Sequence, residues 1–306
     1  MKRLLVICNP RSSRFSDVKR EVFPKLQNLN GYLVGKYEVK PTSLDDNIAT
    51  LTKLLKDGDL VISAGGDATG IIASNAILKS DKDATLAALP YGNFNDLART
   101  LRTKTFDDLF GDARIASSRV SIFYPLEIYV DGKFFRYATC YVTIGMTAEA
   151  ASIYDSPTLR KKLKKNFGRK ISSYTALAGW YFKHRHKKQF IPDFTLNGVL
   201  QPKNTSDYAA VNGASMARVM KGGEDYRKPK TFRHETDRLI SFYRLTKLML
   251  KSIFHRVPGV DTTGDILEFA EPATVTLQAE GESHAFKDIK KIEIRKAPKC
   301  LKVIKH

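Results

Sequence analysis

The chain has little cysteine, a single tryptophan, a shortage of acid and no long apolar run. Its three cysteines, Cys8, Cys140 and Cys300, are odd in number, far apart and without metal-ligand spacing. That pattern excludes a disulfide framework and fits buried thiols in a reducing cytosol. No apolar run approaches the ~20 residues of a membrane span. The short one in "MKRLLVICNP" ends at Asn9-Pro10, too early for a signal peptide. The expectation is a cytoplasmic protein that can touch a bilayer from outside. Acid is scarce: 32 Asp and Glu face 51 Lys and Arg, leaving a net charge of +19. Such an excess favours a polyanionic partner, an anionic membrane surface or nucleic acid, and says nothing about fold. No nucleic-acid motif accompanies the charge, so no specific nucleic acid is expected. Both the G-x-x-x-x-G-K-[ST] loop and the G-x-G-x-x-G fingerprint are missing as well.

What the chain does have is order. With 306 residues, 42% of them hydrophobic, it can bury two ordinary cores. The first third alternates strand and helix patterns. "RLLVICNP", "YLVGKYEVK", "LVISA" and "TLAALP" read as strands. Val18 to Leu29, "SLDDNIATLTKLLKDGD", "TGIIASNAIL" and "NDLARTL" read as helices, the second with Ser43 or Asp45 at its N-cap. Short links between them predict an open, mostly parallel α/β sheet over residues 1–116. From about Arg119 the texture changes to β-branched and aromatic residues, with an Asp131-Gly132 turn and strand candidates at "DFTLNGVLQP", "YAAVNGA", "LISFYRL", "ILEFA", "TVTLQAEG" and "KKIEIRK". This predicts a second, mostly β domain over 117–292. Residues 156–188 interrupt it with a basic helical segment carrying Leu159, Leu163 and Phe167 along one face, followed by Trp180, Tyr181 and Phe182. That segment reads either as a solvated helical face or as an interfacial helix whose rings meet lipid while Lys and Arg meet headgroups.

Three loops follow strands of the first domain, where ligands of open α/β sheets bind. "GGDAT", Gly65 to Thr69, brings backbone N–H groups and a helix N-terminus together; "PYGNFNDLAR" adds Gly92, Asn93, Asn95 and Asp96; "NPRSSR" adds Asn9, Pro10, Arg11, Ser12 and Ser13. Glycines let backbone approach phosphate closely, and helix N-termini favour anions, so convergence of these loops predicts a nucleotide site. A lone G-G-D before a helix would equally serve as a capped turn.

The order Asn9-Pro10, then Gly65-Gly66-Asp67-x-Thr69, then Pro90-x-Gly92-x-x-Asn95-Asp96-x-Ala98-Arg99 resembles the catalytic domain of the diacylglycerol kinase family. The likeness is to its bacterial soluble lipid kinases above all, with sphingosine and ceramide kinases as relatives. It continues through Asn212 and Gly222-Gly223, Asp237, and Glu280-Gly281-Glu282. The resemblance implies an N-terminal α/β domain that binds ATP and a β-sandwich domain for the lipid. The chemistry would lie in the cleft between them, with a C-terminal strand, at about 293–306, returning to the first domain. By position, Asn9 to Ser13, Thr42, Gly65 to Thr69 and the Gly92–Asp96 loop would contact ATP, with Asp67 near the phosphates and Mg²⁺. Glu282 would be the general base, and Asp237, flanked by the carbonyls of His234 and Leu239, would hold a structural Mg²⁺. Because side chains alternate along a strand, Glu280 and Glu282 are expected to share one face, where one raises the other's pKa and favours proton pickup.

Several residues depart from that pattern: Ala68 for glycine, Asn93 for threonine, Ser13 for glycine, Thr147 for aspartate, Arg238 for glycine and Glu280 for aspartate. Ala68 would cost about 1 kcal/mol if its backbone needed a positive φ. These departures support a second reading, a degenerate member that binds nucleotide or lipid without turnover. A third, an NAD-kinase-like enzyme, shares the glycine loop but lacks a suitable Asn-Glu pair. The leading expectation is an ATP-dependent kinase of a diacylglycerol-like lipid, peripheral at an anionic membrane; a homodimer is compatible with the sequence.

Overall fold

The computed structural model describes residues 2–110, 120–154, 179–180, 182–184, 189–216, 220–221, 230–235 and 259–305. The first part runs β1 (Lys2–Cys8), α1 (Phe15–Glu21), α2 (Phe23–Gln27), β2 (Tyr32–Glu38), α3 (Leu44–Leu54), β3 (Leu60–Gly65), α4 (Asp67–Lys79), β4 (Thr85–Pro90), α5 (Asp96–Thr100), α6 (Asp107–Phe110) and β5 (Val120–Phe123). The second runs β6 (Leu126–Val130), β7 (Lys133–Ala138), β8 (Tyr141–Gly145), α7 (Met146–Tyr154), β9 (Phe194–Leu196), β10 (Val199–Leu200), β11 (Thr205–Val211), β12 (Ser215–Met216) and β13 (Met220–Lys221). It continues with β14 (Lys230–Glu235), β15 (Val260–Asp261), β16 (Gly264–Ala279) and β17 (Glu282–Lys296), and β18 (Leu301–Ile304) follows.

The first sheet has the order β2-β1-β3-β4-β18-β5, parallel from β2 through β18 and antiparallel at β5. Its strands bury both faces by alternation. In β1, Leu5 and Ile7 join the core beneath α3 and α4, while Leu4, Val6 and Cys8 join the core on the side of α1 and α2. The single helix expected over Val18 to Leu29 is two short ones. Val22 ends α1 and starts α2, with Pro24 in the first turn of α2, where its missing N–H is tolerated. Residues 120–123, which the change of texture assigns to the second half, are hydrogen-bonded into this sheet through β18. The strand expected at about 293–306 is divided: residues up to Lys296 pair with β6, and Leu301 onward with β4 and β5.

The second half is antiparallel. Its sheet follows the path β15-β14-β11-β8-β16-β17-β6-β7, with β9 and β10 branching from β16. The patterns "ILEFA" and "TVTLQAEG" belong to one long strand, β16, whose register shifts between Glu268 and Val275. Before the shift β16 pairs with β9, and after it with β8. Bulges of this kind bend a strand. One hydrophobic core accordingly takes Leu126 and Ile128 from one end of the path and Val142, Ile144, Tyr208 and Ala210 from the other. Two-residue turns at Asp131-Gly132 and Asn197-Gly198, with positive φ at both positions, join the hairpins β6–β7 and β9–β10.

α4 connects the two halves. It is buried continuously from Thr69 to Leu78, because β3 and β4 cover one side and the second half covers the other. Ile72, Ala73, Ala76 and Ile77 share a core with Cys140, Tyr141, Ala209, Val211 and Met216. Asn75 Nδ2 donates to the Tyr137 carbonyl at 3.0 Å and its Oδ1 accepts from the Tyr137 N–H at 3.0 Å, so its amide pairs with β7 as a strand would. The apolar contact and this paired amide fix how the first sheet's loops face the second sheet. Most of the basic segment 156–188, and the strand candidate "LISFYRL", lie outside the described residues. Within it, Trp180 is buried, stacked on His184 with ring centroids 5.1 Å apart; Phe182 is exposed. Trp180 therefore packs inward, unlike in the interfacial alternative, in which it would meet lipid with Tyr181 and Phe182.

Candidate functional site

The loops after β1, β3 and β4 meet at one end of the first sheet. The chain leaves β1 in a tight turn: the Ser12 N–H donates to the Asn9 carbonyl at 2.9 Å and the Arg11 N–H to Asn9 Oδ1 at 2.9 Å. Ser12 Oγ donates to the Tyr91 carbonyl at 3.2 Å and Arg14 Nη1 to the Pro90 carbonyl at 2.9 Å, which ties this loop to the one after β4. Pro10, Arg11 and Ser13 are exposed. Thr42, also exposed, receives a hydrogen bond from Asn47 Nδ2 at 3.1 Å just before the capping box that Ser43 and Asp46 form on α3.

The two glycine loops cross backbone against backbone. A Cβ on Gly92 would lie 2.2 Å from Gly66 Cα, so nothing larger than glycine fits there. Asp67 holds the crossing together: its Oδ1 accepts from the Asp96 N–H at 2.7 Å and its Oδ2 from the Asn95 N–H at 3.2 Å. Asn95 takes the left-handed conformation, φ 59°, which asparagine tolerates better than most residues, and its side chain closes on Gly92 N–H and C=O. Asn95 and Asp96 are buried and shape the loop from within, while Asn93 is exposed at its tip. Ala68 and Thr69 lie in the first turn of α4, and Ala68 is absent from the positive-φ residues. The glycine-to-alanine departure thus carries no backbone strain.

From the other side, the β16–β17 turn reaches toward these loops. Glu280 and Gly281 have φ of 51° and 92°, the two positive values of a tight hairpin turn. Glu280 and Glu282 therefore do not share a strand face; the turn separates them. Glu280 is buried and accepts from Thr139 Oγ1 and the Cys140 N–H. Burial above all, opposed by those bonds and reinforced by the Asp67 carboxylate, pushes its carboxyl up to about 7. Asn212 holds the supporting strand, donating from Nδ2 to the Thr139 carbonyl at 3.0 Å and the Tyr124 carbonyl at 2.8 Å. Tyr141, between the halves, has its phenol pushed well up by burial first and then by Asp96, Asp67 and Glu280. These carboxylates thus lie within electrostatic reach of one another across the cleft. Glu282, partly exposed, begins β17 directly after the turn.

Sequence reasoning missed two further groups. Asp207, partly buried on β11, accepts from Thr147 N–H and Oγ1 at the start of α7, and loss of water around its carboxyl pushes it up to about 7. A carboxylate thus stands beside Thr147, supplied by the neighbouring strand. Arg136, fully buried on β7, donates from Nη2 to Asp45 on α3 and from Nη1 to His284 on β17. The sequence signal for both was a charged residue beside apolar and aromatic neighbours, in "FFRYA" and "DYAAV". Of the residues assigned to a structural metal, His234 lies on β14, and Asp237 and Leu239 lie outside the described residues.

Residues 3–120, which include the glycine crossing, match the family model described as the diacylglycerol kinase catalytic domain. The match runs from β1 to the first residue of β5 and leaves out β18. A curated diacylglycerol kinase from Bacillus subtilis (strain 168) is 35% identical over 107 residues, which is 33% of this chain and 33% of that protein. The match thus spans about a third of the relative's length. Two solved structures from Bacillus anthracis str. Sterne, described as a diacylglycerol kinase and a putative one, superpose over 100% of this chain and 97% of theirs. Their TM-scores are 0.65 and 0.67 at 15% and 16% identity. That likeness establishes that the whole chain shares their fold. Among the described residues no helix is long and apolar enough to cross a membrane.

Proposed function

We propose that the chain is an ATP-dependent lipid kinase that phosphorylates the hydroxyl of a diacylglycerol-like lipid at an anionic membrane surface. The observation that carries this reading is the locked crossing of Gly66 and Gly92 at the N-terminus of α4, facing the carboxylate-bearing turn of the second sheet. Phosphoryl transfer asks the protein mainly to align a hydroxyl with the terminal phosphate and to neutralise charge. The crossing lets backbone come close to a triphosphate, and the first N–H groups of α4 favour its charge. Glu282 takes the hydroxyl proton, and Glu280 is held aside by Thr139 and Cys140.

Magnesium arrives with the triphosphate as part of the substrate, and Asp67 is the carboxylate placed in the phosphate loop. Among the described residues no group of three or more His, Cys, Asp or Glu side chains could hold an ion of its own. The excess of cations, +19 overall, supports docking on anionic lipid. The conformation of Ala68 removes one of the departures that support the non-catalytic reading.

The test is transfer of label from γ-labelled ATP with Mg²⁺ to diacylglycerol in mixed micelles, beside Glu282→Ala. Labelled lipid is expected with the native chain, and a loss of about 10²-fold or more with the variant. Equal labelling by both would overturn the base assignment. ATP binding without label in any lipid alcohol would favour the non-catalytic module.

A further inference from the structure

Arg136 is 1% exposed, yet it is poorly neutralised for a buried cation. One guanidinium nitrogen, Nη2, meets Asp45 Oδ1 at 3.1 Å and Oδ2 at 3.2 Å, and the Asp45 side chain is 63% exposed. Nη1 lies 3.1 Å from His284 Nε2. Arginine only donates, so that imidazole is neutral and contributes no charge; burial first, then Arg136, holds its pKa down to about 4. Nε is buried with no hydrogen-bond partner among the described residues. Phe135 lies under the guanidinium, its ring centroid 4.9 Å away. For stability alone, an apolar side chain would serve such a site as well or better. A spare donor beside a solvent-exposed counter-ion is what an exchangeable anion requires.

The position gives the anion. Asp45 is in the first turn of α3, directly after the Thr42 loop assigned to the nucleotide. His284 stands two residues beyond Glu282, on the same face of β17 by alternation. The guanidinium therefore links the start of α3, beside the Thr42 loop, to β17, which begins at the proposed base. Arg11 and Arg14, the cations of the first loop, donate to the carbonyls of Lys40 and Pro90 and help build that loop.

Resting on the kinase reading above, we propose that Arg136 binds the terminal phosphoryl group of the nucleoside triphosphate, with Asp45 as its place-holding counter-ion. When the triphosphate enters, its terminal oxygens replace the Asp45 carboxylate on Nη2. In the transfer the acceptor oxygen bonds to phosphorus while the bridging P–O bond breaks. The hydroxyl proton goes to Glu282, and the diphosphate leaves with the electron pair. Arg136 stays on the oxygens of the moving group, and Asp45 takes it back when the products leave.

The experiment compares the affinities of ATP and ADP, each with Mg²⁺, for the full chain and for Arg136→Gln and Asp45→Asn. Thermal melts serve as the control for folding. Arg136→Gln should weaken ATP about 10- to 100-fold and leave ADP within a few-fold, the loss expected for a charge-assisted hydrogen bond. Asp45→Asn should act in the opposite direction, tightening ATP a few-fold with ADP unchanged. A structural latch would instead lose from both changes. Equal weakening of ATP and ADP by both variants, or an unchanged ATP-to-ADP ratio in a folded Arg136→Gln, overturns the assignment and leaves the kinase reading intact. If Arg136→Gln does not fold, Arg136→Lys decides: selective weakening of ATP with ADP within a few-fold supports the assignment, and an unchanged ATP affinity or equal weakening of ATP and ADP overturns it. ATP affinity equal to ADP affinity in the native chain refutes the assignment. A native chain that binds neither nucleotide refutes the ATP reading itself, and this assignment with it.

Discussion

The two walls of the cleft are built by different physics. On the first sheet's side, conformation is set by backbone: Gly66 against Gly92, Asn95 in the left-handed region, and Asp67 accepting from two backbone N–H groups. On the second sheet's side it is set by charged side chains and their partners: Glu280 on Thr139 and Cys140, Asp207 on Thr147, Arg136 between Asp45 and His284. The first wall should be intolerant of added volume at its glycines; the second should respond to pH near neutrality. A phosphate-binding loop benefits from rigidity, whereas a wall that handles protons and a moving charge needs groups whose ionisation can change.

The largest effect should come from Gly92→Ala. Its Cβ would meet Gly66 Cα at 2.2 Å and Asn95 Oδ1 at 2.8 Å, and both walls of that contact are fixed by hydrogen bonds. A loss of about 3 kcal/mol or more in unfolding free energy, with loss of ATP binding, is expected. Native-like denaturation and nucleotide affinity would show that the crossing is not a rigid element.

Next comes Glu280→Gln, which breaks the comparison from the other wall. Burial raises the Glu280 carboxyl from 4.5 to about 7, so the folded state favours the protonated form. The stability this gives is complete below about pH 4.5 and disappears as pH rises through 7. Glutamine keeps an acceptor for Thr139 and Cys140 and cannot ionise. The variant should match the native chain near pH 4 and exceed it at pH 8 by up to about 3 kcal/mol. Denaturant midpoints across that range are the measurement. A constant difference between the two proteins at all pH values would mean that Glu280 is not titrating in the folded state. Asp207, raised from 3.8 to about 7, carries the same sign and would account for slope that survives in the variant.

The smallest effect is expected from Ala68→Gly, which restores the usual glycine. Because Ala68 is helical in the first turn of α4, glycine should lower stability by about 0.5–1 kcal/mol and leave turnover unchanged. A rise in lipid phosphorylation would mean that the alanine methyl crowds the phosphate.

Much of the first wall was readable from the chain because its signals are local. Alternating apolar residues give the strands, Ser43 the start of α3, and glycine pairs the loops at strand ends. The break between α1 and α2 was missed although Pro24 marks it, because the apolar period runs on through Val22 and Leu26. In the second half the strands were visible and their joining was not. Pattern alone could not show that "ILEFA" and "TVTLQAEG" are one bulged strand, or that Trp180 turns inward. Glu280 and Glu282 looked like neighbours on one face until the turn conformation separated them.

By itself, then, the sequence determined most elements of the first sheet, the three loops that follow β1, β3 and β4, and the positive charge, since each rests on residues close together in the chain. Tertiary structure decided what those loops face. Asp67 with Glu280, Asn75 with Tyr137, and Arg136 with Asp45 and His284 are brought together across long stretches of chain by the burial of α4 between two sheets. The raised carboxyls of Glu280 and Asp207 come from that burial, because removing water from a carboxylate disfavours its charge, and no local pattern records how much water a folded chain will leave.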